Sequence, residues 1–310
     1  MNPSKTIADS TRYQYEGRLK KIAAKNIKFH EVAEHWATIE QMYPNTQTRK
    51  GVITALLWKL KQDHSPAAIA AVAEVQKKFD EIKKVCYQTA QSQELTEKQL
   101  ANYMTRTDLL TLYNKATSKM DFTSKEYNDD WIYYTLVCLY VIQPPVRADY
   151  WGMKIMRLAT VGMSEQDIQF QINNRCVRDE EDRLTNWCVV GQNRSWFVFN
   201  TYKTANTYGT QIVEAEWLIH HLLIHLNHNL EQWEVVPIGS PNALVKAVKK
   251  AFAHFGGKEI SIGLLRHSYI VEFYKNNPSI AQKEALAKKM LHSRGVQELY
   301  RSENIDEDDS

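Results

Sequence analysis

Trp187-Cys-Val-Val190 and Ser195-Trp-Phe-Val-Phe-Asn-Thr201, joined by Gly191-Gln-Asn-Arg194, read as two paired strands. Their residues are β-branched and aromatic, and the joint is short and opens on a glycine, so the stretch predicts a hairpin. The turn Tyr202-Lys-Thr-Ala-Asn-Thr-Tyr-Gly209 leads to a third strand, Thr210 to Val213. Outside this patch the pattern is helical. Upstream, Trp131 to Val141 is an apolar helix that must stop at Pro144-Pro145, because proline has no amide hydrogen to continue it. Downstream, helices fill Trp217 to Leu230, Asn242 to Phe255, Gly263 to Lys275 and Ser279 to Leu291. Near the start, Tyr15, Leu19 and Ile22 recur at helical spacing behind Ser10-Thr11, read as an N-cap. Ile53, Leu56, Leu57 and Leu60 form a second apolar stripe, and Ile69, Val72, Val75 and Phe79 a third. The fold class is therefore mainly α (α+β): helices around a small antiparallel sheet.

Length and composition bound the rest. With 310 residues the chain has room for two domains, each with its own core. Around Gln88 to Thr96 the chain turns polar and loses bulk, which places an interdomain linker there. No apolar run nears the roughly 20 residues needed to span a bilayer, and the polar start from Met1 to Ser10 does not read as a secretory signal. The expectation is an intracellular protein. Cys86, Cys138, Cys176 and Cys188 then read as reduced thiols without metal-like spacing.

Charge is unevenly placed. The net is only +3, but residues 1–90 hold fifteen Lys/Arg against nine Asp/Glu, and the last eight residues hold five acids. A basic body with an acidic tip suits a polyanionic partner.

Metal-free phosphodiester transfer needs a nucleophile, cations to take up charge on the nonbridging oxygens, a proton donor for the leaving oxygen, and positioning. The chain supplies suitable groups in order. Arg147 follows the apolar helix in Pro144-Pro-Val-Arg147-Ala-Asp149-Tyr150, and Lys203 sits in the hairpin as Tyr202-Lys-Thr204. Arg266 opens a helix in Leu264-Leu-Arg-His-Ser268, and His292, in Met290-Leu-His-Ser293, precedes Tyr300, in Gln297-Glu-Leu-Tyr-Arg301. Singly, each has a plain structural explanation; together, in one order, they form a candidate site. His221, His225 and His228 also recur at helical spacing, but no nearby acid or thiol completes a zinc set, so no metal or cofactor is expected.

The order and local context of these five residues resemble the tyrosine recombinases (the phage integrase family) over roughly residues 125–301. The Pro-Pro-x-Arg-x-Asp-Tyr and Tyr-Lys-Thr details look most like the enzymes of large DNA viruses and related mobile elements. The resemblance implies a helical core-binding domain over residues 1–90, a linker and entry helix over 91–124, a catalytic domain over 125–302 and an acidic tail over 303–310. It implies that Arg147 and Arg266 clamp the scissile phosphate, Lys203 protonates the departing 5′ oxygen, His292 hydrogen-bonds the phosphate, and Tyr300 attacks to leave a 3′-phosphotyrosyl link. The implied partner is double-stranded DNA, bound by a tetramer on paired sites and a monomer when free, in a host cytoplasm or nucleus if the source is viral.

Two positions depart from the pattern. Gly263 stands where the family usually has His or Lys, three residues before the second arginine. Tyr150, with Asp149 beside it, stands where the family often has an acid. Two other functions fit the same residues. A type IB topoisomerase shares the chemistry, but the short interval from Arg266 to His292 and the helical start speak against it. A DNA-binding relative with impaired catalysis is the other, favoured by Gly263.

Overall fold

The computed structural model describes residues 9–91, 95–177 and 185–300. The acidic tail and part of the linker region around 88–96 fall outside them. The chain divides into two compact units, Met1–Ser92 and Gln93–Ser310.

The first unit is helical: α1 (Asp9–Ala23), α2 (Trp36–Met42), α3 (Thr46–Leu60) and α4 (Pro66–Gln91). Ser10 and Thr11 lie within α1, which is described from Asp9 onward. Asn45 caps α3 by accepting a bond from the Thr48 amide at 3.0 Å, a contact worth about 1 kcal/mol. The α3 stripe Ile53, Leu56, Leu57 and Leu60 is buried as expected. Of the α4 stripe, Val75 is buried and Val72 and Phe79 pack against the same core, but Ile69 does not join them. The buried seam of α4 is Ala68, Ala71, Val75, Ile82 and Cys86, and Ile69, one residue off that seam, is 62% exposed. One residue turns a helix by about 100°, and small alanines let the α3 backbone come close.

In the second unit, α5 (Glu97–Ala101), α6 (Arg106–Lys119) and α7 (Asp129–Val141) precede the sheet. Residues Leu95, Met104, Leu109 and Leu112 join the same core as α7. Then come β1 (Lys154–Arg157), α8 (Glu165–Cys176), β2 (Trp187–Val190), β3 (Ser195–Phe199), α9 (Ala205–Tyr208) and β4 (Gln211–Glu214). Helices α10 (Trp217–Ile224), α11 (Pro241–His254), α12 (Ile262–Lys275), α13 (Ile280–Lys289) and α14 (Arg294–Glu298) complete it.

The hairpin forms as read, with Trp187 opposite Val198 and Val190 opposite Ser195. The sheet, however, is mixed and not wholly antiparallel: β1 runs parallel to β2, with Ile155 beside Cys188. Parallel neighbours need a crossover, and α8 supplies it. The sheet is covered on both faces. Phe197 and Phe199 point into the main core, while Trp196 and Val198 pack with Ile168 and Ile172 of α8. This two-sided burial explains why β3 is apolar at successive positions. Among the described residues no helix is long and apolar enough to cross a membrane.

Candidate active site

Four of the five candidate residues converge, each delivered by the end of a helix. Helix α7 is nearly all buried and ends before Pro144-Pro145, which turns the chain toward Arg147. The Tyr140 hydroxyl donates to the Arg147 carbonyl, and the Arg147 amide donates to Asp149 Oδ2 at 3.0 Å. That leaves the half-buried guanidinium free to reach forward, where Nη1 lies 3.5 Å from the Leu291 carbonyl.

Arg266 projects from α12, which Ser261 caps by accepting from the Leu264 amide at 3.3 Å. Its side chain is 1% exposed. Nη1 donates to the carbonyls of Pro145 at 2.7 Å and Met290 at 3.1 Å. Nη2 donates to His292 Nδ1, and Nε donates to the Tyr300 hydroxyl at 3.3 Å. Both Nη1 hydrogens therefore hold the guanidinium in place, and its Nε/Nη2 edge faces His292 and Tyr300. That edge is the one that forks onto a carboxylate or phosphate. Burial lowers the guanidinium pKa from its ordinary value, and the neighbouring Tyr300 opposes that shift.

His292 is set by the end of α13. The Leu291 amide bonds the Lys288 carbonyl at 3.1 Å and the His292 amide the Ala287 carbonyl at 3.0 Å. This is the Schellman pattern, whose turning residue is usually glycine. Here it is Leu291, at φ +55°, a conformation that costs a β-carbon roughly 1–2 kcal/mol. Leu291 is 2% exposed, so its packing offsets the strain. His292 Nδ1 accepts from Arg266, which places the imidazole proton on Nε2. That nitrogen is buried without a bond of ordinary geometry among the described residues, and the Gln297 side chain is near enough to raise the His292 pKa slightly. Burial first, then Arg266 and Arg147, push the His292 pKa down to about 3. The ring is therefore a neutral N–H donor at working pH, not a cation.

Ser293 caps α14, and Tyr300 follows it, its amide bonded to the Gln297 carbonyl at 3.0 Å. The Tyr300 ring lies 5.9 Å from His292 at 29° and 4.9 Å from His267 at 71°. Arg266 Cζ is 5.2 Å from the Tyr300 centroid.

Lys203 is the fifth residue, and no contact draws it into the cluster. It is exposed, and it makes no hydrogen bond or ion pair among the described residues. Its neighbour Thr204 points its hydroxyl at the Leu291 carbonyl, 3.5 Å away, the same oxygen that faces Arg147. The lysine thus hangs one residue from the cluster.

The two departures resolve differently. Tyr150 is fully buried against Tyr140 and Phe197 and belongs to the core. Asp149 is the acid that holds the Arg147 segment; burial raises its carboxyl pKa, against the pull of the Arg147 amide and the two arginines. Gly263 is exposed in the first turn of α12, and a β-carbon there would meet only Ser261 Oγ, at 3.7 Å.

Some site-shaping residues carried no sequence signal. Arg106, at the start of α6, donates to the Val141 carbonyl at the end of α7. Its Cζ is 5.0 Å from the ring of Tyr269, one helical turn beyond Arg266. Gln297 is fully buried in this cluster, and its side chain acts on His292, opposing the fall of the His292 pKa. By contrast, two of the three stripe histidines go into ring contacts, His225 stacking on Trp131 at 4.7 Å and His221 meeting Trp217 at 4.1 Å, while His228 is exposed. Among the described residues no group of His, Cys, Asp or Glu is placed to hold a metal ion.

No family model matches the sequence, and no curated protein does. Among solved structures the chain is similar to a crystal structure of XerA recombinase, at 11% identity, over 95% of this chain and 87% of that one, with a TM-score of 0.38. At that score the likeness carries no argument, and the functional reading rests on the site itself.

Proposed function

We propose that this chain breaks and rejoins DNA strands through a 3′-phosphotyrosyl intermediate on Tyr300, as a site-specific recombinase or integrase. The observation that carries the reading is the joint engagement of Arg266 with His292 and Tyr300. One buried cation contacts the candidate nucleophile and the candidate phosphate donor through the same edge.

Chemically, a phosphate between Arg147 and Arg266 would gain charge-assisted bonds from both guanidinium groups. The His292 Nε2–H would donate to a nonbridging oxygen. Tyr300 would attack phosphorus, and the phosphoryl group would pass from the 5′-oxygen to the phenolic oxygen. Lys203, exposed on its turn, would protonate the departing 5′-oxygen. The phenolic proton of Tyr300 would pass to solvent and Lys203 would regain its proton from solvent, so that atoms and charge balance without metal or nucleotide, and the new ester keeps the bond energy for rejoining.

The arrangement is closed. Arg266 is 1% and His292 5% exposed, and the Tyr300 hydroxyl occupies one hydrogen of the Arg266 fork. Phosphate entry therefore requires the 294–300 segment to shift and the tyrosine oxygen to exchange its bond with Arg266 for a place in line with phosphorus. Residues 1–90 would grip the duplex through lysine and arginine contacts to phosphate, with tetramers forming on paired sites. The test is incubation with duplexes nicked near candidate sites, so that the cleaved fragment diffuses away, followed by a denaturing gel. The proposal predicts a covalent protein–DNA band without added metal. A chain that binds DNA tightly yet never forms that band would instead be a catalytically impaired relative.

A further inference from the structure

Beside His292 lies a cavity of about 390 Å³ between the hairpin turn and helices α13 and α14. Tyr202, Tyr208, Ala287 and Leu291 line it, with His292 at one edge. Its size falls in the range of small-ligand sites. Its walls are held in place. The Tyr202 hydroxyl donates to the Gly209 carbonyl at 2.7 Å, closing the turn on itself. Gln211 Nε2 donates to the Tyr208 carbonyl at 2.7 Å. Leu291 is held by the strained helix end described above. Yet Tyr208 remains 47% exposed. Two cations, Lys288 and Arg294, stand at the rim with one acid, Glu284. Arg294 is 3.6 Å from that acid, in an exposed pair that holds it only weakly.

Two aromatic rings, an apolar floor, rim cations and a phosphate-directed histidine make a combination that suits one kind of ligand. Tyrosine faces accept any nucleobase by stacking. Rim cations suit a sugar–phosphate backbone. We infer that this cavity holds one unstacked nucleotide of the DNA strand next to the scissile phosphate, with its base against Tyr202 and Tyr208. The inference rests on the strand-transfer reading for the phosphate's position, but the cavity's preference for a nucleotide can be measured alone.

The probe is thymidine 3′,5′-bisphosphate, compared with the same deoxyribose bisphosphate lacking the base, on the full chain. Saturation-transfer NMR reads which ligand protons touch protein, and a titration gives affinity. The subsite predicts saturation on the thymine ring and methyl protons. It also predicts affinity on the order of tenfold above the abasic compound, as expected for one stacked base. Tyr208→Ala, at an exposed position that should not disturb folding, should erase most of that difference, and Tyr208→Phe should keep it. Equal binding of the two compounds, or an unchanged preference in Tyr208→Ala, would overturn the subsite. Base-dependent binding would support it even in a chain that forms no adduct, and its absence would overturn it even in a chain that does. Failure here and failure of strand transfer are thus separable.

Discussion

Arg266 Nε donates to the Tyr300 hydroxyl at 3.3 Å, across 34 residues of sequence. Its other nitrogens fix Pro145, Met290 and His292. One side chain thus joins the end of α7, the end of α13 and the tyrosine after α14. Removing it would lose the proposed phosphate contact and also leave buried carbonyls unpaired.

This dual role makes Arg147 the cleaner test of the clamp. Its guanidinium is half-buried and has only a long contact to the Leu291 carbonyl. Arg147→Ala should therefore fold normally and slow covalent adduct formation by roughly 10² or more. Arg147→Lys should recover little, because an ammonium lacks the planar fork. Adduct kinetics with thermal unfolding as control decide the point; near-normal rates in Arg147→Ala would remove it from the site.

Lys203 should behave differently. It is exposed and unbonded among the described residues, so Lys203→Ala should leave stability unchanged. If it supplies the proton to the leaving oxygen, the variant should cleave about 10²-fold more slowly. Replacing that bridging oxygen with sulfur, which leaves readily without a proton, should restore most of the rate. A defect of equal size on both substrates would assign Lys203 to binding.

The buried histidine predicts a pH dependence of stability. The His292 pKa is pushed down to about 3 in the folded chain, against about 6.5 when unfolded. The unfolded state therefore takes up the proton first. The stability due to neutral His292 is complete above about pH 6.5 and lost as pH falls toward 3, by at most about 1.4 kcal/mol per unit. Burial lowers His220, His225 and His267 as well, so they add to the same limb. Urea melts between pH 7 and 4 should show His292→Gln with a shallower acid slope than the parent. An identical slope would mean the ring is not held neutral.

Gly263 is open to improvement. A β-carbon there has room, and glycine within a helix costs about 0.5–1 kcal/mol relative to alanine. Gly263→Ala should raise the urea midpoint correspondingly without altering adduct yield. A loss of stability would show that the backbone there needs glycine.

Much of this was legible in the sequence because the decisive residues sit beside strong local signals. Pro144-Pro145 marks the end of α7 and so locates Arg147. The paired apolar runs mark the hairpin, and the Leu-Leu-Arg-His-Ser stretch at a helix start, with the family resemblance it carries, points to Arg266. Strand β1 was not legible, since Lys-Ile-Met-Arg has charged ends and gains its strand geometry only from β2 and the α8 crossover. Ile69 misled for a related reason: beside it the α4 seam is carried by Ala68 and Ala71, and alanine is a weak hydrophobic signal. Arg106 and Gln297 escaped notice because their roles depend on carbonyls and burial supplied by distant parts of the chain. The positive φ at Leu291 was hidden too, since leucine at a helix end ordinarily signals packing and not a turn.

The central claim is that Tyr300 becomes the covalent link to DNA. The most direct measurement is mass spectrometry of protease-digested adduct, which locates the residue carrying the nucleotide. The account predicts the phosphodiester on Tyr300 alone, and no adduct from Tyr300→Phe despite normal folding and DNA binding. A nucleotide on any other residue, or normal adduct yield from Tyr300→Phe, would contradict it.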